Sequence, residues 1–190
     1  MAQQGPNPIE VYEATVQSMR SIISGVRADQ LNTPTPCTEW NVQALINHNI
    51  KVSQFFNSIL TGAGGVNPME VNVPLPAEGA AAAFEAATSA FLATAKSTDL
   101  EKVVEAPFGT MPVGQLLMIP FADMLIHKWD LAKATGQDTS LDSGLAEVCY
   151  HVLEHLLEGG RDPNNFAEAV SVPISANFQD KLLALSGRTP

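Results

Sequence analysis

From Ile9 to Val26 the apolar residues Val11, Tyr12, Val16, Met19, Ile22 and Ile23 recur at steps of three and four. That spacing puts them on one face of a helix, so the pattern predicts a first amphipathic helix there. The stretch NTPTPCTEWN follows, in which Pro34 and Pro36 exclude helix and push their neighbours toward extended geometry. Thr38 stands where an N-cap belongs, and EWNVQALINHNIKVSQFFNSIL predicts a second helix to about Leu60, ended by TGAGG. The next segment, VNPMEVNVPLPAEG, carries three prolines and cannot be helical throughout. An alanine-rich third helix is expected from Ala80 to Ala95, with Phe84, Phe91 and Leu92 as its large apolar residues. A fourth runs from near Pro112 to about Thr135, with Gly136 placed to end it in the left-handed conformation and Pro120 expected to bend it just before Asp123. SGLAEVCYHVLEHLLEGG predicts a fifth helix, and the tail adds a short apolar piece, strand or extended wrap, before one or two helical turns at Asp180 to Leu185. The expected fold class is therefore all-α, an antiparallel four-helix bundle with an additional C-terminal helix and an extended tail.

Charge and composition narrow the function. The 10 Lys+Arg against 20 Asp+Glu give a net charge of -10 without a local basic patch, which argues against nucleic acid and anionic membrane surfaces as partners. No run of eighteen apolar residues predicts a membrane span, and MAQQGPNPIEVYEA lacks the features of a signal peptide, so a cytoplasmic location is expected. The 190 residues fit one domain, and Cys37 and Cys149 form no CxxC pair and are expected to be free thiols.

The candidate chemistry lies in FADMLIHKWDLAKATG. Residues four apart on a helix project about 40° apart, so Asp123 and His127 can address one ion placed between them. Taken alone, the pair fits a buried salt bridge as well as metal ligation. A third ligand on another core-facing helix would favour the metal, and His48, flanked by Val42, Leu45, Ile46, Val52 and Phe55, is the candidate; by itself it also reads as a core histidine bonded to a carbonyl. Carboxylate and neutral imidazole are the donors that a divalent ion such as Zn²⁺ accepts. A rival pair, His151 and His155, has the same spacing but not the HExxH order, and reads better as a surface or helix-end feature beside Glu147, Glu154 and Glu158.

The loop and helix TPTPCTEWNVQALINHNI, the segment DMLIHKWDLAKATG and the closing FQDKLLALSGRTP together resemble, in the same order, three elements of the mycothiol-dependent maleylpyruvate isomerase family, in its short single-domain form. The resemblance implies a DinB/YfiT-like metal-binding bundle over residues 1–190, with a divalent ion held by His48, Asp123 and His127. Zinc is the leading candidate, with nickel or another divalent ion as alternatives. The characterised isomerase carries glutamate where this chain has Asp123, and its C-terminal domain has no room here after the bundle.

The implied function is that of a metal-dependent enzyme of the thiol-dependent isomerase or S-transferase type. The metal would lower the pKa of a bound thiol, mycothiol or another small thiol, for addition to a small electrophilic substrate. A metal-dependent hydrolase and a non-catalytic, metal-stapled binding module are the alternatives, and a homodimer is compatible with either. Trp40, Trp129 and Asp130 are candidates to wall the pocket or orient a ligand, though each also suits a core or surface role. Cys37, a loop cysteine beside two prolines, is expected to pack against Trp40 rather than to act as nucleophile.

Overall fold

The computed structural model describes residues 5–161 and 166–190. Among the described residues six α-helices dominate: α1 (Pro8–Ser24), α2 (Val42–Thr61), α3 (Ala80–Lys96), α4 (Val113–Thr135), α5 (Ser143–Leu157) and α6 (Phe178–Leu185). A two-stranded antiparallel hairpin, β1 (Val103–Ala106) and β2 (Gly109–Pro112), lies between α3 and α4. Helix α1 packs on α4 and α3, and α2 packs on α3 and α4, so these four enclose the core. Helix α5 leans on α4, and α6 leans on α5.

The first helix forms where its stripe required. All six residues of that stripe are buried, Pro8 occupies its first turn, and the Asn7 side chain accepts the Ile9 amide. Tyr12 meets Phe91 edge-on with centroids 5.1 Å apart, and its hydroxyl lies 3.1 Å from Ser53 Oγ, so the one polar atom of a fully buried ring is satisfied.

Helix α2 starts three residues later than its sequence suggests. Asn41, not Thr38, caps it by accepting the Ala44 amide. The intervening segment instead folds back on the proline loop through Thr35 N to Trp40 O (3.2 Å), Val42 N to Thr33 O (3.0 Å) and Trp40 N to Cys37 O (2.8 Å). Those bonds satisfy backbone groups that a helix beginning at Glu39 would have to take from the prolines' neighbours. The hairpin was not expected, and the apolar piece of the tail runs without regular structure, tied to α6 by Val170 N to Ala184 O.

Helix α4 is the central element. Pro120 lies inside it and is buried; Gly136, at φ 69°, ends it in the left-handed region as anticipated. Because proline has no N–H, the Leu116 carbonyl loses its helical donor one turn before Asp123.

Candidate metal centre

Asp123 and His127 sit one turn apart on α4 and His48 faces them from α2. His48 Nε2 lies 3.3 Å from Asp123 Oδ2, and His127 Nε2 lies 3.4 Å from Asp123 Oδ1. One donor atom from each of the three residues falls within 4.8 Å of the others. The sequence-derived set is thus brought together, while His151 and His155 stay on the surface, bonded through Nδ1 to Glu154 and Glu158.

Charged imidazole–carboxylate hydrogen bonds prefer about 2.7–2.9 Å, so these contacts are loose as ion pairs. They match another geometry: ligands about 2.0–2.1 Å from a common tetrahedral centre stand about 3.3 Å apart. Asp123 Oδ2 is buried and has no hydrogen-bond partner. A carboxylate with one orphaned oxygen, set against two imidazole nitrogens, is an arrangement that a divalent cation would satisfy, and the donor set fits zinc or a similar ion. The Asp123 side chain remains 30% exposed, so the cluster is reachable from solvent.

The surroundings aim both imidazoles. His48 Nδ1 lies 3.1 Å from the Pro68 carbonyl, so its N–H donates there and Nε2 is left facing Asp123. Pro68 belongs to the proline-rich connection after α2, which Asn47 and Gln43 tether by donating to the carbonyls of Val71 and Val73. His127 Nδ1 in turn lies 3.0 Å from Asp130 Oδ2, at the fully buried Asp130 side chain. Trp40 covers both rings, with centroids 4.5 Å from His48 and 5.8 Å from His127. Trp129 is buried elsewhere: among the described residues its ring pairs with the Lys133 ammonium, 4.2 Å above it, and with neither imidazole.

Burial disfavours every charge in this cluster, yet the charges favour one another. For Asp123, burial raises the carboxyl pKa, but His48 and His127 outweigh it and hold the group below the usual carboxylate range. For His127, burial lowers the pKa, and Asp123, Asp130 and Cys37 outweigh it and hold the imidazole well above its ordinary value. Asp130 is raised by burial and pulled down further by His127 and Arg188.

Two participants were not anticipated. Cys37 does more than pack in the Trp40 loop: its Sγ lies 3.7 Å from His127 Nδ1 and 3.6 Å from Asp130 Oδ2. Arg188, from the C-terminal tail, donates to both Asp130 oxygens and to Cys37 Sγ. Both lie in segments that carry the family resemblance, but nothing local assigns them these contacts, which join parts far apart in the chain.

Comparison with known proteins agrees with the motifs. The mycothiol maleylpyruvate isomerase N-terminal domain matches residues 12–132, a span holding Trp40, His48, Asp123, His127 and Asp130. Two uncharacterized proteins of Mycobacterium tuberculosis, from strains CDC 1551 / Oshkosh and ATCC 25618 / H37Rv, are each 31% identical over 186 residues, covering 96% of this chain and 98% of theirs. The crystal structure of the mycothiol-dependent maleylpyruvate isomerase superposes with a TM-score of 0.62 at 12% identity, and that of a mutant of it with 0.64 at 15%. Each alignment covers 82% of this chain and 72% of the other, and at such identities it speaks for the fold. With the family domain matching residues 12–132, more than half of the chain, and relatives aligned almost end to end, this chain belongs to the mycothiol maleylpyruvate isomerase N-terminal domain family.

Proposed function

We propose that this protein is a divalent-metal-dependent enzyme of the thiol-dependent isomerase or S-transferase type. His48, Asp123 and His127 hold the ion, and a low-molecular-weight thiol of the mycothiol kind is the cosubstrate. The observation that carries the reading is the buried, unpartnered Asp123 Oδ2 set 3.3 Å from His48 Nε2, with His127 Nε2 at a similar distance from the other oxygen. Family membership supports the choice of thiol.

A divalent ion bound there supplies Lewis acidity, which lowers the pKa of a thiol that reaches it and favours the nucleophilic form at neutral pH. The chain supplies the rest. Asp130 and the Pro68 carbonyl hold the two Nδ1–H groups, so that both Nε2 lone pairs point inward. Trp40 shields the imidazoles on one side, and the exposed part of Asp123 leaves the route by which thiol and a small electrophile enter. Cys37, which touches the outer nitrogen of His127 rather than the inner one, is not the nucleophile on this reading.

Metal content by plasma emission on protein purified without a histidine tag is the first test, with about one divalent ion per chain expected. Cobalt-loaded protein should then gain a sulfur-to-metal charge-transfer band on addition of mycothiol or a related thiol, with Cys37→Ser behaving like the wild type. A closed four-ligand cobalt spectrum that no thiol perturbs would instead identify a structural staple.

A further inference from the structure

Helix α6 ends in a left-handed turn that throws one side chain back across the molecule. Gly187 has φ 83°; its amide donates to Ala184 O at 3.1 Å and the Arg188 amide to Leu183 O at 2.8 Å, which together form a Schellman motif. A Cβ on Gly187 would come 2.8 Å from Ala167 Cβ and 2.9 Å from Ala167 O, so both the conformation and the space demand glycine. Lys133 on α4 holds the next residue by donating to Thr189 O at 2.9 Å. The turn delivers Arg188 behind His127, where its side chain is 9% exposed.

There the guanidinium forms a two-pronged pair with Asp130: Nε to Oδ1 at 3.2 Å and Nη2 to Oδ2 at 2.8 Å. Nη2 also reaches Cys37 Sγ at 3.1 Å, and Nη1 donates to the Ser186 carbonyl at 2.8 Å. Asp130 Oδ2 is the same oxygen that accepts from His127 Nδ1. A fully buried carboxylate with only one imidazole partner would be free to rotate or to protonate; the fork fixes its plane and its charge.

We propose that Arg188 is a positioning residue for the metal centre, acting through Asp130 to lock the tautomer and ring plane of His127 so that Nε2 faces His48 and Asp123. The inference rests on the metal-binding reading above and concerns Arg188, which lies outside the matched family segment. Cys37 Sγ, 3.1 Å from Nη2, completes the socket in which the guanidinium sits. Cys37, His127 and Asp130 also bring donor atoms close together, but Arg188 already supplies the cation of that second cluster.

The test compares wild type, Arg188→Ala and Arg188→Lys by two readouts. The first is zinc affinity measured by competition with a chromogenic chelator. Losing the fork should weaken binding on the order of 10- to 100-fold, the usual effect of removing an outer-shell partner. Millimolar methylguanidinium should recover much of the loss in Arg188→Ala, and Arg188→Lys, with a point charge in place of the fork, should fall between. The second is the proton resonance of the His127 Nδ1–H in zinc-free protein: slowly exchanging and far downfield in the wild type, broadened or lost in Arg188→Ala. Wild-type affinity and an unchanged resonance in either variant would overturn the proposal. So would a loss that methylguanidinium does not touch and that the two variants share equally, since that is what general loosening of the tail gives. Should Arg188→Ala fail to fold, Arg188→Lys decides alone by the same criteria. A wild type that binds no zinc overturns the functional reading, whereas the resonance still decides the role of Arg188.

Discussion

His48 Nε2 and Asp123 Oδ2 meet at 3.3 Å although 75 residues separate them in the chain. That spacing is long for a charged imidazole–carboxylate hydrogen bond, and on the proposed reading a shared cation sets it. Replacing His48, Asp123 or His127 singly by alanine is therefore predicted to lower zinc affinity by more than the roughly 10–100-fold typical of an outer-shell partner. Far-ultraviolet circular dichroism should remain that of the wild type, because the helices close on an apolar core that none of the three belongs to. Retention of metal by the Asp123→Ala protein, measured by plasma emission after dialysis, would count against the site.

The protonation of the metal-free centre sets a second expectation. The His127 imidazole is held well above its ordinary pKa, burial being outweighed by Asp123, Asp130 and Cys37. A raised value means that its charged form stabilises the metal-free fold below the unfolded pKa of about 6.5, and that this contribution is lost as pH rises through the folded value. Metal binding requires the neutral imidazole, so uptake near pH 7 must release that proton, and fewer protons should leave as pH climbs. The gap in Tm between zinc-loaded and metal-free protein is accordingly predicted to widen with pH on the alkaline side. Indicator-dye titration and paired melting curves read the two effects; a gap independent of pH between 7 and 9 would contradict the assignment.

The two tryptophans separate cleanly. Trp40 lies 4.5 Å, centroid to centroid, from His48, whereas Trp129 pairs with Lys133. Binding of cobalt is expected to quench the fluorescence of Trp40. The quench should persist in Trp129→Phe and largely vanish in Trp40→Phe; the reverse pattern would place the ion elsewhere.

On α5, His151 and His155 expose 59% and 68% of their side chains. Alanine at either position should leave zinc affinity unchanged and shift stability by no more than about 0.5 kcal/mol, as is usual for surface substitutions. Chelator competition and thermal melting on each variant check this.

The three ligand candidates were legible because each signal was local. Asp123 and His127 share a helical face by spacing alone, and His48 stands within a stripe whose period is visible in a dozen residues. The helices themselves emerged for the same reason. What escaped was non-local. The start of α2 moved because Thr33 and Thr35 pair backward with Trp40 and Val42, an arrangement that capping preference at Thr38 could not register. The hairpin escaped because the four-residue strands around Pro107 and Phe108 are too short to alternate convincingly. Cys37 looked like packing for want of knowing what the fold sets beside it, and Arg188, though inside the closing FQDKLLALSGRTP segment, gave no sign of its partner 58 residues away.

The contact between Arg188 and Cys37 closes a span of 151 residues, with the hairpin and every helix but α1 lying between them. Contacts of such separation are entropically late, so the folding transition state should form among the helices before that socket closes. Interactions absent from the transition state leave the folding rate alone and slow unfolding instead. The centre then acts as a latch on an already folded bundle, setting how long the protein stays native rather than how fast it becomes so.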